Sequence, residues 1–200
     1  MRRTEEQSFT LIELMVVIGI IVILLSLAFP VFQGVLERAK KVQAKNDLTQ
    51  IVTAVNAFYT EYGRYPATCT TTTDAYFGGG TAPSGSTSCG TNDVLFNELR
   101  ATGSYTINTR QIVFISPPQD TTQTSPKGKI GSDNQFHDPW ASAYSIEIDA
   151  DYNNQVANPY GSGGGAGPIR QGAIGWSVGK DLTLGSGGKF TNSDDVISWE

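Results

Sequence analysis

Four groups of residues in this 200-residue chain have types and spacings that suit chemistry. The first is Glu13, an acid at the head of the run LMVVIGIIVILLSLAFPVF, which carries no charge from Leu14 to Phe32. A carboxylate at bilayer depth costs on the order of 2.5–3.5 kcal/mol unless a cation meets it. Either Glu13 lies at headgroup level and marks a membrane boundary, or it has a positive partner. A cut between Ser8 and Phe9 would supply one, because the new amine of Phe9 falls about one helical turn from Glu13. Between parallel helices, the Glu13 of one subunit would neutralise the Phe9 amine of the next and set their register.

The second group is Asp181 with the adjacent pair Asp194 and Asp195, at the two ends of a Gly-rich loop. Closure of that loop converges three carboxylates, which repel unless a cation neutralises them. Ca²⁺ suits such a site because it takes six to eight oxygens, loop carbonyls included. A solvated acidic turn is the competing reading. The third group is Cys69 and Cys89, the only cysteines, in a Gly/Ser/Thr-rich stretch. With no further Cys or His nearby they read as a disulfide rather than a metal site, against two free thiols as the alternative. The fourth is Asp149, Asp151 and Asn153, which have the spacing that opens an EF-hand loop. Asn154 and Tyr160 stand where that loop needs Gly and Glu, so the segment reads as an Asx-rich turn.

Nothing else suggests catalysis. His137 is the only histidine and reads as a turn residue, and no nucleophile–base set or zinc spacing occurs. The GSGGK ending at Lys189 is followed by Phe190 and not by Ser or Thr, so it is no phosphate-binding loop. A formal net charge of -5 repels phosphate backbones, so nucleic acid is not an expected partner. We expect no enzyme.

The elements that must position these groups are legible in part. The apolar run would make a helix about 28 Å long, close to the hydrocarbon thickness of a bilayer. The pattern then continues as an amphipathic helix, with Val35, Leu36, Ala39, Val42, Leu48, Ile51, Val52, Val55, Phe58, Tyr59 and Tyr62 at three- and four-residue intervals. Gly63 and Pro66 stop it. One helix from about Thr10 to Tyr62 is therefore expected, apolar all round at first and along one stripe afterwards. Residues 67–91 read as a long flexible loop, and Asn92 or Asp93 as the cap of a short helix ending at Leu99. Extended segments are expected at 112–115, 143–148, 172–178 and 196–199. The fold class is α+β, with the long helix over a small antiparallel sheet.

SFTLIELMVVIGIIVIL resembles the prepilin signature: a short charged leader, a cut before Phe, a Glu five residues into the mature chain, then an apolar helix. Pro30 matches a proline common in pilins, and KNDLTQIVTAVNAFYTEYGRYP resembles the pseudopilin continuation. The residue before the cut is usually Gly; here it is Ser8. Ser177, Gly179, Asp181, Asp194, Asp195 and Trp199 match, in order, the C-terminal calcium loop of major pseudopilins. HDPWASAYSI also resembles a family segment, with Ala141 in place of Gly and Ala143 in place of Pro; Leu182 likewise stands where Gly is usual.

This resemblance implies the pilin fold, removal of residues 1–8 by a prepilin peptidase, and methylation of Phe9. It implies an arrangement of leader 1–8, membrane and filament-core helix 9–32, amphipathic half 33–66, and body 67–200. The chain would be a single-pass inner-membrane protein, N-terminus inside and body periplasmic. It would polymerise with pilin-like subunits on an inner-membrane assembly platform as a type II secretion pseudopilus. The competing functions are a type IV pilus subunit and a membrane-anchored extracytoplasmic binding module.

Overall fold

The computed structural model describes residues 9–103, 105–161, 167–185, 190 and 193–199, with the side chains of 27–32 excepted. The chain divides into two compact units, Met1–Ala39 and Lys40–Glu200. Helix α1, Leu11–Tyr62, contributes to both. It ends where expected. Gly63 takes φ 66 and its N–H bonds to the carbonyl of Tyr59 at 2.8 Å, a left-handed stop that favours glycine.

In the second unit, Ala44, Leu48, Ile51, Val55 and Phe58 of α1 are wholly buried. Their alternating four- and three-residue spacing puts them on one helix face. Burial of each large apolar side chain contributes about 1.5–3 kcal/mol, and this stripe covers the sheet. The strands are β1 (Asp74–Phe77), β2 (Ser86–Ser88), β3 (Ser145–Ile148), β4 (Ala173–Ser177) and β5 (Val196–Ile197). Their order is β2-β1-β3-β4-β5. Lys45 Nζ donates to the carbonyl of Ile197 at 2.9 Å, tying α1 to β5.

The architecture is the expected α+β, with three corrections. The sheet is mixed, because β2 runs parallel to β1 while the remaining pairs are antiparallel. Residues 78–85 fold back, with Ser86 N–H on the carbonyl of Pro83, so the chain re-enters beside β1 in the same direction. The stretch 67–91 is accordingly not just a loop: it holds both of these strands, and β1 is buried throughout. Residues 112–115 join no strand. They run beside a second helix, α2 (Asn92–Arg100), where Phe114 N–H bonds to the carbonyl of Leu99 and Ile115 enters the core.

The cap of α2 is Thr91, not Asn92 or Asp93. Asn92 instead cross-links buried backbone: its Nδ2 donates to the carbonyls of Phe136 and Tyr144, and its Oδ1 accepts from Phe136 N–H.

Candidate functional site

At the head of α1, Glu13 Oε2 accepts from the backbone N–H of Thr10 at 2.9 Å and from its hydroxyl at 2.7 Å. The N–H of Glu13 points back to Thr10 Oγ1 at 3.4 Å. This reciprocal pair is a capping box, which satisfies N–H groups a helix start otherwise leaves open. Thr-x-x-Glu before an apolar run is its sequence signal, which the charge of Glu13 alone does not disclose. One oxygen of Glu13 is thus engaged within its own chain.

Around it, Phe9, Ile12, Val16 and Val17 line a shallow groove. From Phe9 to Leu25 the large apolar side chains are exposed, Leu11 by 83%. A continuous apolar surface of this kind marks a face that meets lipid or another protein. Among the described residues no helix is long and apolar enough to cross a membrane. Described side chains in the expected span stop at Ser26, and residues 27–32, with Pro30, lie outside them. Ser8 and the leader also lie outside the described residues, as do residues 186–189 of the Gly-rich loop.

The structure brings Asp181, Asp194 and Asp195 together: each offers one carboxylate oxygen within 4.8 Å of the other two. Asp194 Oδ2 accepts the N–H groups of Lys180 at 2.6 Å and Asp181 at 3.2 Å, which closes the turn. Gly179 makes this possible. Its φ is 68, and a Cβ there would lie 2.7 Å from the carbonyl oxygen of Asp194. Asp195 is buried; its Oδ2 accepts from Tyr160 Oη and Gly185 N–H, while its Oδ1 has no hydrogen-bond partner among the described residues. Hydrogen bonds from Thr183 hold Asp181 below the usual carboxylate range, so it presents a charged oxygen at the rim. One buried, unpartnered oxygen beside two more carboxylates has the donor chemistry of a hard-cation site.

The loop is anchored from behind. Ser177 Oγ donates to Asp138 Oδ2 and accepts from Gly179 N–H. Asp138 Oδ1 also takes the N–H groups of Trp140 at 2.8 Å and Ser142 at 2.9 Å. Burial pushes the Asp138 carboxyl up, the hydrogen bonds opposing. Asp138 thereby joins the HDPW turn to the acidic loop, a role its position in the sequence did not disclose. Ala141 and Leu182, which stand where the resemblance implies glycine, both keep a left-handed backbone, with φ 77 and 59.

Cys69 and Cys89 form a disulfide with their Cα atoms 5.4 Å apart. It joins the approach to β1 with the residue after β2. His137 is buried, its Nε2 3.1 Å from Asp133 Oδ2, so the lone histidine does have an acidic neighbour within its turn. Trp176 packs in the core with Tyr76.

Residues 3–29 match the family model for the prokaryotic N-terminal methylation motif. The chain is 41% identical over 69 residues to the type II secretion system core protein G of Escherichia coli strain K12, covering 34% of this chain and 48% of that protein. It is 37% identical over 68 residues to the same-named protein of Klebsiella michiganensis, with the same coverages. It is also 44% identical over 59 residues to the type IV major pilin protein PilA of Myxococcus xanthus, covering 30% of this chain and 27% of the relative. The chain thus spans about half the length of the secretion-system relatives and about a quarter of the pilin. No solved structure matches it. The chain carries a prepilin-type methylation motif at residues 3–29 and is similar to pilin-like proteins over about its first third. Its relatives bear two names, secretion core protein and type IV pilin.

Proposed function

We propose that this chain is a structural subunit of a type II secretion pseudopilus, stored in the inner membrane and polymerised to drive protein export. The observation that carries the reading is the exposed apolar surface of α1 from Phe9 to Leu25, headed by the single carboxylate Glu13, inside a methylation motif. In water that surface is untenable; in lipid, or against copies of itself, it is satisfied. A prepilin peptidase cuts between Ser8 and Phe9 and methylates Phe9. The freed amine then meets Glu13 of an adjoining subunit on the inner-membrane platform. Glu13 can serve both ends at once, since Oε2 holds its own helix start while the remaining charge faces outward.

Resident Ca²⁺ at Asp181, Asp194 and Asp195 would hold the C-terminal strand β5 against the body. When bound, the ion supplies positive charge for three converging carboxylates. This chain's own residues close the loop through Gly179, Ser177 and Asp138. The type IV pilus subunit is the second reading, favoured by the similarity to the Myxococcus pilin. The acidic loop between β4 and β5, which resembles the calcium loop of major pseudopilins, favours secretion.

Deleting the gene and measuring folded exoproteins tests this. Periplasmic accumulation with surface pili unchanged supports the secretion reading. Normal export with loss of surface pili or motility transfers the chain to the second reading.

A further inference from the structure

A second group of carboxylates gathers at the opposite end of the strands. Asp74 opens β1 and Asp149 follows β3 directly. The register that pairs Ala75 with Ile148 sets Asp74 opposite Asp149. The turn after β3 then returns Asp151. Asp74, Asp149 and Asp151 each offer one oxygen within 4.8 Å of the others. None belongs to the loop proposed above, and Asp74 comes from a stretch whose composition reads as loop.

Acidic residues often cluster without a ligand, so the decisive observation concerns Asp74. It is only 8% exposed, and its Oδ1 has no hydrogen-bond partner among the described residues. Its Oδ2 accepts from Ala157 N–H at 3.0 Å, which fixes the carboxylate in place toward the other two. A buried carboxylate oxygen without a donor is rarely tolerated unless something fills the role. The partners are equally fixed. Asp149 takes the N–H groups of Asn153 and Asn154 at 3.0 and 2.8 Å, and Asp151 takes the N–H and side-chain amide of Asn153 at 3.1 and 2.8 Å. These hydrogen bonds leave each oxygen a further lone pair.

Among the described residues no salt bridge reaches any of the three. Two residues before Asp149, Glu147 is fully buried, and its Oε2 has no hydrogen-bond partner among the described residues. Burial and the like charges around it hold the Asp74 carboxyl up at about 6.

We propose that Asp74, Asp149 and Asp151 form a second hard-cation site, selective for Ca²⁺, that pins the turn after β3 to the start of β1. Calcium is favoured over magnesium because the oxygens come from a strand and an irregular turn. Such a set suits a large ion with a flexible shell and not a strict octahedron. The competing occupant is a proton shared among the carboxylates.

The test is calorimetric titration of CaCl₂ into the full-length chain in detergent at neutral pH, for wild type, Asp74→Asn and Asp181→Asn. Asn at 74 keeps the shape and the acceptor for Ala157. Asp74→Asn is expected to lose one calcium equivalent, and Asp181→Asn to retain it. If the C-terminal loop holds no ion, the wild-type count starts one lower and Asp74→Asn still removes an equivalent, so the two sites are judged separately.

Tb³⁺ supplies a second readout. Tyr65 and Tyr152 stack at 5.7 Å beside the cluster, so tyrosine-sensitised emission should disappear in Asp74→Asn. Should Asp74→Asn not fold, Asp151→Asn, which changes an exposed side chain, carries the same expectation. An unchanged calcium count, or a stabilised Asp74→Asn protein with the calcium response of wild type, overturns the proposal in favour of the proton.

Discussion

Replacing Asp181 and Asp194 together by Asn is the sharpest probe of the C-terminal loop. Both substitutions keep size and acceptor oxygens, so the turns made through Thr183, Lys180 and Asp181 backbone N–H groups persist. What vanishes is the two charges that meet Asp195, whose buried Oδ1 has no partner among the described residues. An ion that binds only the folded state stabilises it by about 2.7 kcal/mol at a hundredfold excess over Kd. For a domain of this size each kcal/mol shifts Tm by about 2–4 °C, giving a rise of about 5–10 °C. The assay is thermal unfolding of the full chain in detergent, in calcium and in chelator. Wild type should show that rise in addition to whatever the double variant shows. In chelator the order should invert, because the variant no longer crowds like charges. Equal calcium shifts in both proteins would overturn the calcium assignment, whatever their absolute Tm.

Three further perturbations follow from the same structure. Asp138 holds its proton to higher pH folded than unfolded, so its contribution is greatest below the unfolded value of about 3.9 and is lost as pH rises through the folded one. Asp138→Asn should therefore flatten the fall in urea stability above about pH 4; an unaltered slope counts against that assignment. Ala141→Gly and Leu182→Gly should each raise stability by about 0.5–1 kcal/mol in chemical denaturation, because both positions hold a left-handed backbone that a Cβ disfavours. A loss at either would mean that its side chain contributes more than the backbone costs. Reducing the Cys69–Cys89 bridge, sequence separation 20, should cost about 3 kcal/mol by loop-closure entropy, read as a lower urea midpoint with the sheet retained.

Periodicity made α1 legible, since Leu48, Ile51, Val55 and Phe58 repeat at helical spacing and Gly63 supplies the stop. The strands β3, β4 and β5 could be placed from short apolar runs between turn residues. DAYF and STS could not, because neither is long enough or apolar enough to signal a strand. Their place comes from the pairing of β1 with β3, of β2 with β1, and from the disulfide, which are long-range facts. The same limit hid Asp74, which acquires its neighbours only through strand register. Asp181, Asp194 and Asp195 were legible because one loop carries them all. Glu13 was legible as a charge in an apolar setting. Its hydrogen bonds to Thr10 follow from a spacing just as visible, but the charge outweighs it in any reading by composition.

Filament assembly as proposed depends on Glu13 acting between subunits and not only as a cap. Glu13→Gln separates the two, because Gln keeps the capping box with Thr10 and loses the charge. The measurement is the yield of sheared filaments from cells that retain the assembly machinery, for wild type, Glu13→Gln and Glu13→Ala. Breaking a buried ion pair costs about 3–5 kcal/mol, so both variants should fall at least about a hundredfold, with Gln no better than Ala. Wild-type yield from Glu13→Gln would contradict that role, leaving Glu13 as a helix cap alone.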